Sequence, residues 1–327
     1  MRMLLRRLAD AVVLLWLVLS LTFLLVRAAP GDPAAMLIPP SASPADAGRL
    51  RAELGLDASL PVQYARWAKS TLRGDLGMSF AQRRPVTSVL GDAIPISLAL
   101  GGISLALTFL IGVALGTLQA AKRGTSTDVA LTVGTTAVYA APSYWLALTL
   151  VAVFTYGATY WGFPAAMRLP AFGMRSPGLD LNGYAAGADL VRHALLPVFT
   201  LTVIGAAGIA RYTRSIVADI LDAPFVRTAR AKGARPFSVH ARHVLRNALP
   251  PLVVLFALAL PGTLAGSVFV ETVFAWPGMG RALVTAIGAR DYPVVLGATA
   301  IYAALVIGAN LCGDLALPAL DPRRRSS

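Results

Sequence analysis

Residues 94–121 read IPISLALGGISLALTFLIGVALGTLQAA, without one charged side chain. A transmembrane helix needs about 20 consecutive apolar residues, so this stretch is long enough to cross a bilayer. Further apolar runs occupy residues 8–26, 129–156, 194–210, 249–274 and 292–317. A helix satisfies its own backbone hydrogen bonds, which lipid requires. The pattern therefore predicts an all-α integral membrane protein with about six transmembrane helices.

The composition of the chain supports the same class. Of its 327 residues 56% are hydrophobic and only 14% are charged, and the mean hydropathy is +0.66. Soluble domains carry about 25% charged residues, so lipid has to cover part of this surface. The net charge of +13 could suggest nucleic acid. The basic residues fall in the gaps between apolar runs, however, so we expect no nucleic-acid partner.

The distribution of lysine and arginine predicts the orientation. If the N-terminus lies inside, the inner segments carry a clear excess of bases over acids, whereas the outer segments are more evenly balanced. The inner bases lie before residue 8, at 122–123, within 211–246 and at 323–325. Positive charge favours the cytoplasmic side of a membrane. Both termini are therefore predicted to be cytoplasmic.

The inner connection after the fourth run carries signals of a short helix. Asp222 can cap its start, Pro224 is tolerated in the first turn, and Gly233 can end it. Phe225 and Ala229 are four residues apart and share a face. Such a helix, with one apolar knob beside basic side chains, suits a groove on a partner protein. An ordinary basic inner loop is the alternative.

Residues 227–233 read RTARAKG, and this string resembles the cytoplasmic coupling segment of ABC-importer permeases. The family pattern is EAA, three further residues and Gly. The departures at Arg227 and Thr228 match the variant typical of the dipeptide/oligopeptide/nickel branch. Further strings typical of that branch occur in order along nearly the whole chain: APGDP at 29–33, GDLG at 74–77, RHVLRNALP at 242–250, WPGMG at 276–280 and RDYP at 290–293.

The resemblance implies the type I ABC-importer permease fold and the role of the branch's B-type permease in a bacterial inner membrane. Two permeases would form the pore for dipeptides, oligopeptides or related solutes, and two ABC ATPase subunits would bind ATP. An extracytoplasmic substrate-binding protein would deliver the solute. The chain itself would be neither an enzyme nor a cofactor-binding protein. Dipeptides, longer peptides, glutathione, nickel and other chelates all remain open as solutes.

The implied organisation has three parts. Residues 1–27 hold the first transmembrane helix, and residues 28–92 form a periplasmic loop with short interfacial helices. Residues 93–327 form the permease core, with the coupling segment at 211–248. The outer loop at 157–192 is longer than is typical of the family, and its role stays open.

Two sets of candidate site residues follow. Contact with the ATPase is assigned to Asp222, Phe225, Arg227, Thr228, Ala229, Arg230, Lys232 and Gly233. A gate, pore or docking role is assigned to Pro261, Gly262, Gly266, Glu271 and Asn310. An ionisable residue in a membrane span is a functional candidate by default, and an interfacial anchor is the alternative for Glu271. Gly112 with Gly116, and Gly262 with Gly266, form GxxxG pairs that favour close helix contact.

Other classes of protein are disfavoured by missing motifs. The sequence has no GxxxxGK[ST] phosphate-binding loop and no HExxH zinc motif. Its three histidines, His193, His240 and His243, lie in segments without metal-ligand spacing, so no metal site is expected. A stand-alone secondary transporter is the alternative function. That class commonly has inverted repeats and paired intramembrane acids, whereas this sequence has no visible inverted repeat and carries its acids mostly in loops.

Overall fold

Helices form the architecture of this protein in the computed structural model, which describes residues 2–28, 43–53, 57–235 and 238–320. Within those ranges, β-type pairing is confined to one isolated antiparallel bridge between Met78 and Pro85. The helices are α1 (Arg2–Ala28), α2 (Pro44–Glu53), α3 (Leu60–Leu72), α4 (Val86–Ala121), α5 (Ser126–Ala140), α6 (Ser143–Val151), α7 (Ala158–Tyr160), α8 (Gly183–Leu221), α9 (Pro224–Ala231), α10 (Arg246–Val273), α11 (Met279–Gly288) and α12 (Tyr292–Leu320). π-helical turns at Ala152–Gly157 and Val239–Leu245 precede α7 and α10.

Five segments among the described helices are long and apolar enough to cross a membrane unaided. They are Arg6–Ala28, Val86–Ala121, Gly183–Leu221, Arg242–Leu260 and Tyr292–Cys312. A sixth span results if the bent pair Ser126–Ala140 and Ser143–Tyr160 is counted as one. The prediction of an all-α membrane protein with about six spans is therefore confirmed.

The third span is not the single straight helix that its apolar run suggested. Its two halves meet at an angle of 99°. At the break Ala141 is extended, with φ −74° and ψ 131°, and Pro142 precedes α6. Proline has no N–H to donate, and it biases the preceding residue away from helical backbone angles. The bend therefore has a cause in the residues themselves.

The helix α8 is longer than the predicted fourth span at 194–210. It runs for 39 residues, so the predicted outer loop ends at Asn182 and the inner segment begins as helix. Buried side chains at helical spacing begin within the apolar run, at Ala206 and Ala210, and continue past it at Thr213 and Val217. Packing along this stripe, rather than overall apolar composition, sets the length of the helix.

The chain divides into two compact units. The first unit takes residues 1–97 and 277–307, and the second takes residues 98–276 and 308–327.

The first unit carries an aromatic cluster that joins α3 to α1. Phe23 stacks on Trp67 with ring centroids 5.0 Å apart, and Trp16 stacks on the same indole at 6.2 Å. The Tyr64 hydroxyl lies 2.6 Å from the Ser20 hydroxyl. Such ring pairs contribute about 0.5–1.5 kcal/mol beyond the area they bury. These contacts hold the amphipathic helix α3 against the first transmembrane helix.

A buried carboxylate joins two distant segments of the first unit. Asp291, at the start of α12, accepts hydrogen bonds from the Ser79 hydroxyl and from the N–H groups of Phe80 and Ala81, the latter two at 3.0 Å. A buried charge is costly unless it is hydrogen-bonded, and this one has three donors. Asp291 thereby anchors the loop before α4 to the beginning of α12.

Close contact between α4 and α8 is the central feature of the second unit. A Cβ atom placed on Gly112 would lie 2.7 Å from the Ile209 Cβ, and one on Gly116 would lie 2.6 Å from the Thr213 Cβ. Real Cβ atoms do not approach so closely, so only glycine fits at either position. Small residues let helix backbones pack tightly in a membrane. The first GxxxG pair is therefore a helix-packing motif.

Substitution of Gly116 tests this contact. We expect Gly116→Ala to lower the melting temperature of the detergent-solubilised protein by several degrees, because overpacking costs about 1–3 kcal/mol. Gly102→Ala is the matched control, since it lies on the same helix and its Cβ would meet no atom within 4 Å. The control should melt at the wild-type temperature or slightly above it. Equal melting of the two variants would contradict the packing role.

Candidate functional site

The short helix α9 begins directly after α8. Asp222 ends α8, Ala223 is extended with φ −68° and ψ 144°, and Pro224 takes the first position of α9. The expectation that Asp222 caps α9 is wrong, because Ala223 is the N-cap residue. The Asp222 carboxylate instead accepts a hydrogen bond from Arg123 Nη1 at 3.2 Å. Only Asp222 and the extended residue Ala223 separate the two helices.

Gly233 ends α9 in the manner that the sequence indicated. Its φ of +80° lies in the left-handed region. The Gly233 N–H donates to the Arg230 carbonyl at 3.0 Å, and the Ala234 N–H donates to the Ala229 carbonyl at 3.1 Å. These two bonds form a Schellman motif, which satisfies the last carbonyl groups of a helix. The glycine therefore sets where the chain turns away from α9.

One face of α9 is anchored in the second unit. Val226 is 0% exposed and packs in a cluster with Val217 of α8 and with Ala248 and Leu252 of α10. Val239 and Val244 of the π-helical turn complete that contact. Burial of a valine side chain contributes about 1.5–3 kcal/mol. The cluster therefore fixes α9 against both of the long helices that flank it.

The remaining surface of α9 is open. Phe225 is 46% exposed, although it is the largest apolar side chain of the helix. The other candidates on this segment are exposed, except for Ala229, which is half-buried: Arg227, Thr228, Arg230, Lys232 and Gly233. Aromatic and arginine side chains are enriched in protein interfaces. The short segment 225–232 therefore exposes one phenylalanine and three basic side chains.

The second set of candidates lies away from α9. Glu271 is 0% exposed and accepts a hydrogen bond from the Ser267 hydroxyl at 2.9 Å. It stands near the far end of α10, about 37 Å along the helix from Arg246 at a rise of 1.5 Å per residue. Asn310 is exposed on α12, and a Cβ atom on Gly262 would meet no atom within 4 Å. The close packing seen at Gly116 thus does not recur at Gly262.

Two further candidates, Pro261 and Gly266, lie within the continuous helix α10. The surroundings of their side-chain positions fall outside the described part of the structure. Within the described residues, no group of three or more histidine, cysteine, aspartate or glutamate side chains is placed to hold a metal ion.

Sequence reasoning missed a half-buried ion pair on α8, the helix that precedes α9. Arg214 of α8 donates two parallel hydrogen bonds to Asp128 of α5, from Nε at 2.9 Å and from Nη2 at 2.8 Å. One signal was available: Thr125 and Asp128 have the spacing of a helix cap, and the Thr125 hydroxyl accepts the Asp128 N–H at 3.4 Å. Nothing in that local pattern identifies Arg214 as the partner.

Comparison with known protein families gives two matches. The family described as binding-protein-dependent transport system inner membrane component matches residues 112–326, and its N-terminal companion family matches residues 1–101. A Brucella ovis protein, provisionally named as a peptide permease, is 37% identical over 99% of this chain and 98% of its own length. The oligopeptide transport system permease protein AppB of Bacillus subtilis is 34% identical over 97% of each chain.

Two solved structures share the fold. A chain of the MetNI methionine ABC transporter in an inward-facing conformation has a TM-score of 0.53 and 21% identity, over 72% of this chain and 97% of that one. A chain of an amino acid ABC transporter has a TM-score of 0.50 and 12% identity, over 71% and 94%. The prediction of the type I importer permease fold is confirmed.

Membership in this family also decides between the two functional alternatives. Its components work in transport systems that depend on a binding protein, so a stand-alone secondary transporter is not favoured. The prediction that the chain is a transport subunit rather than an enzyme is confirmed by its relatives. The two family matches together cover nearly the whole chain, and so do the relatives. The chain therefore belongs to the family of inner membrane components of binding-protein-dependent transport systems, as a permease subunit of an ABC importer.

Proposed function

We propose that this chain forms one half of the translocation pathway of a peptide importer and that ATPase subunits drive it through α9. A second homologous permease supplies the other half. Two ABC ATPase subunits bind ATP on the cytoplasmic side, and an extracytoplasmic substrate-binding protein delivers the solute. Relatives named for peptide and oligopeptide transport support peptides as the class of solute.

The observation that carries this proposal is the two-sided character of α9. Val226 on one face of the helix is fully buried, whereas Phe225 is 46% exposed and the basic side chains of Arg227, Arg230 and Lys232 are exposed as well. A helix that is fixed on one face and open on the other fits the groove of a partner protein. An aromatic anchor surrounded by polar contacts is the usual composition of a binding hot spot.

The packing beneath α9 supports a path for motion. Val217, Val226 and Leu252 belong to α8, α9 and α10, and they share one buried cluster. Packed interiors transmit displacement because they have few voids. A displacement of α9 by the closing ATPases would therefore move both long helices. We propose that this motion opens the pathway alternately to the two sides of the membrane.

The orientation and the division of the chain belong to the same proposal. Both termini lie in the cytoplasm of a bacterial cell, and the chain spans the inner membrane in contact with lipid. Residues 1–27 form the first span, 28–92 the periplasmic loop and 93–327 the permease core, with the coupling segment at 211–248. The excess of bases at 122–123 and 211–246 supports this orientation.

The gate candidates remain part of the proposal as well. Glu271 is an ionisable group fully buried in a membrane helix, which makes it a functional candidate. We assign a gate or docking role to it together with Pro261, Gly262, Gly266 and Asn310.

Affinity purification of the tagged chain tests the proposal. The wild-type chain, extracted in detergent, should bring down ATPase subunits and a second permease, identified by mass spectrometry, with measurable ATPase activity. Phe225→Ala should reduce the recovered ATPase by at least about tenfold, because removal of a hot-spot side chain costs about 2 kcal/mol or more, which is about thirtyfold in affinity. Its melting temperature should stay within about 1 °C of wild type, since surface substitutions change stability by less than about 0.5 kcal/mol.

Phe199→Ala is the matched control for that experiment. Phe199 is 51% exposed and lies on α8 outside the coupling segment, so its removal should leave ATPase recovery unchanged. If Phe225→Ala and wild type recovered the same amount of ATPase, α9 would not be the docking element. A wild-type chain purified alone would contradict the whole assembly.

Two substitutions of Gly233 test whether the conformation of its backbone matters. A Cβ atom at Gly233 would meet no atom within 4 Å, so any effect within this chain comes from its φ of +80°. Asparagine tolerates this region and valine does not, at a cost of about 1–2 kcal/mol. With the complex in proteoliposomes, Gly233→Val should therefore lower peptide uptake per ATP several-fold, whereas Gly233→Asn should stay near wild type. Normal uptake by both variants would contradict a coupling role for the Schellman turn.

A further inference from the structure

The ion pair between α5 and α8 joins a buried carboxylate, which has a complete set of hydrogen bonds, to a half-buried arginine. Asp128 is only 3% exposed. Besides the two bonds from Arg214, its carboxylate accepts the Gly124 N–H at 3.1 Å and the Thr132 hydroxyl at 3.4 Å. The carboxylate thus connects the turn between α4 and α5, the first turns of α5 and the side of α8. Paired guanidinium bonds of this kind also fix the relative orientation of the two groups.

The ion pair lies where α4 and α8 are closest. A Cβ atom on Gly116 would lie 2.9 Å from the Arg214 backbone nitrogen and 2.6 Å from the Thr213 Cβ. The glycine therefore lets α8 approach until the Arg214 side chain reaches Asp128 at the start of the next helix. The turn of α8 around Thr213 and Arg214 is therefore held by close packing against Gly116 of α4 and by the ion pair with Asp128 of α5.

A second ion pair ties the turn between α4 and α5 to the end of α8. Arg123 lies in the connection between α4 and α5, and its guanidinium contacts the Asp222 carboxylate at 3.2 Å. Arg214 and Asp222 are about 12 Å apart along the helix axis at 1.5 Å per residue. The turn therefore holds the last stretch of α8 at two points. Pro224, the first residue of α9, follows Asp222 with one residue between them.

Stability alone does not explain the pair of Asp128 and Arg214. The Asp128 carboxylate loses its hydration on burial, and replacement of a buried charge pair by uncharged groups is often neutral or stabilising. The Arg214 side chain stays 35% exposed, so solvent weakens its attraction to the carboxylate. The exposed pair of Arg123 and Asp222 contributes little because solvent screens it. What the pair of Asp128 and Arg214 does supply is a fixed geometry between α5 and the last part of α8, which leads into α9.

We infer that Asp128 and Arg214 are positioning residues that make the turn between α4 and α5 move as one body with the junction of α8 and α9. A displacement of α9 then reaches α4 and α5 as well as α8 and α10. The inference rests on the proposed docking of ATPase subunits to α9. It predicts that the charged pair is needed for coupling of ATP hydrolysis to transport and is not needed for assembly.

The test compares single and double neutral variants in the purified complex, reconstituted with a labelled peptide pool. Asp128→Asn leaves Arg214 without its counter-charge, so this single variant can lose assembly for structural reasons. The double variant Asp128→Asn with Arg214→Gln removes both charges and keeps two polar side chains that can bond to each other. We expect the double variant to assemble with ATPase activity within about twofold of wild type and to transport about tenfold less peptide per ATP.

Two outcomes overturn the inference. Normal uptake per ATP by the assembled double variant shows that the charged pair does not position the junction. Failure of the double variant to assemble shows that the pair is structural. Arg214→Lys separates charge from geometry, because lysine keeps the charge without the planar fork. Its uptake per ATP should fall between wild type and the double variant, and a value equal to wild type overturns the role of the fork.

Phe225→Ala, measured in parallel, separates this inference from the proposed function. Normal ATPase recovery and normal coupling with Phe225→Ala remove the docking role of α9 itself. Impaired Phe225→Ala together with a normally coupled double variant removes only the role of Asp128 and Arg214.

Discussion

The approach of α4 to α8 at Gly112 and Gly116 is the contact on which the organisation of the second unit depends. Lipid tails are as apolar as the side chains of a helix, so helices in a membrane gain little from burying apolar surface against each other. They associate through close packing and hydrogen bonds instead. Two positions without a side chain on α4 let the α8 backbone come near enough for Arg214 to reach Asp128. The same stripe of α8 ends at Val217, which enters the cluster that holds Val226. Helix packing and the placement of α9 are therefore parts of one arrangement.

Two buried carboxylates in this protein join separate segments. Asp291 binds the loop before α4 to the start of α12, and Asp128 binds α5 to α8. Each carboxylate has several donors, which offsets the loss of hydration on burial. Ionisable groups are rare inside membrane proteins and are commonly retained for function. In a transport subunit, such joints specify which helices move together, and apolar packing alone specifies this less sharply.

The residues determine some of these features locally and others only in three dimensions. Apolar runs predict the spans because lipid permits few alternatives to a helix. Pro224 and Gly233 predict the bounds of α9, since each acts on its own stretch of backbone. The 99° bend at Ala141 and Pro142 had a local cause and could have been predicted. The extent of α8 and the pairing of Asp128 with Arg214 could not, because both depend on a neighbouring helix and the pair is 86 residues apart in sequence. The expectation that Asp222 caps α9 was wrong for the same reason: its partner Arg123 lies on another connection.

The central claim is that the exposed face of α9 touches an ATPase subunit, and photo-crosslinking tests it most directly. A benzoylphenylalanine probe in place of Phe225 is irradiated in intact membranes, and the adducts are identified by mass spectrometry. The same probe in place of Leu110, which is 69% exposed on α4, serves as the control. The account predicts a covalent adduct with an ATPase subunit from position 225 and none from position 110. An assembled complex that gives no ATPase adduct from position 225, or equal adducts from both positions, would contradict it.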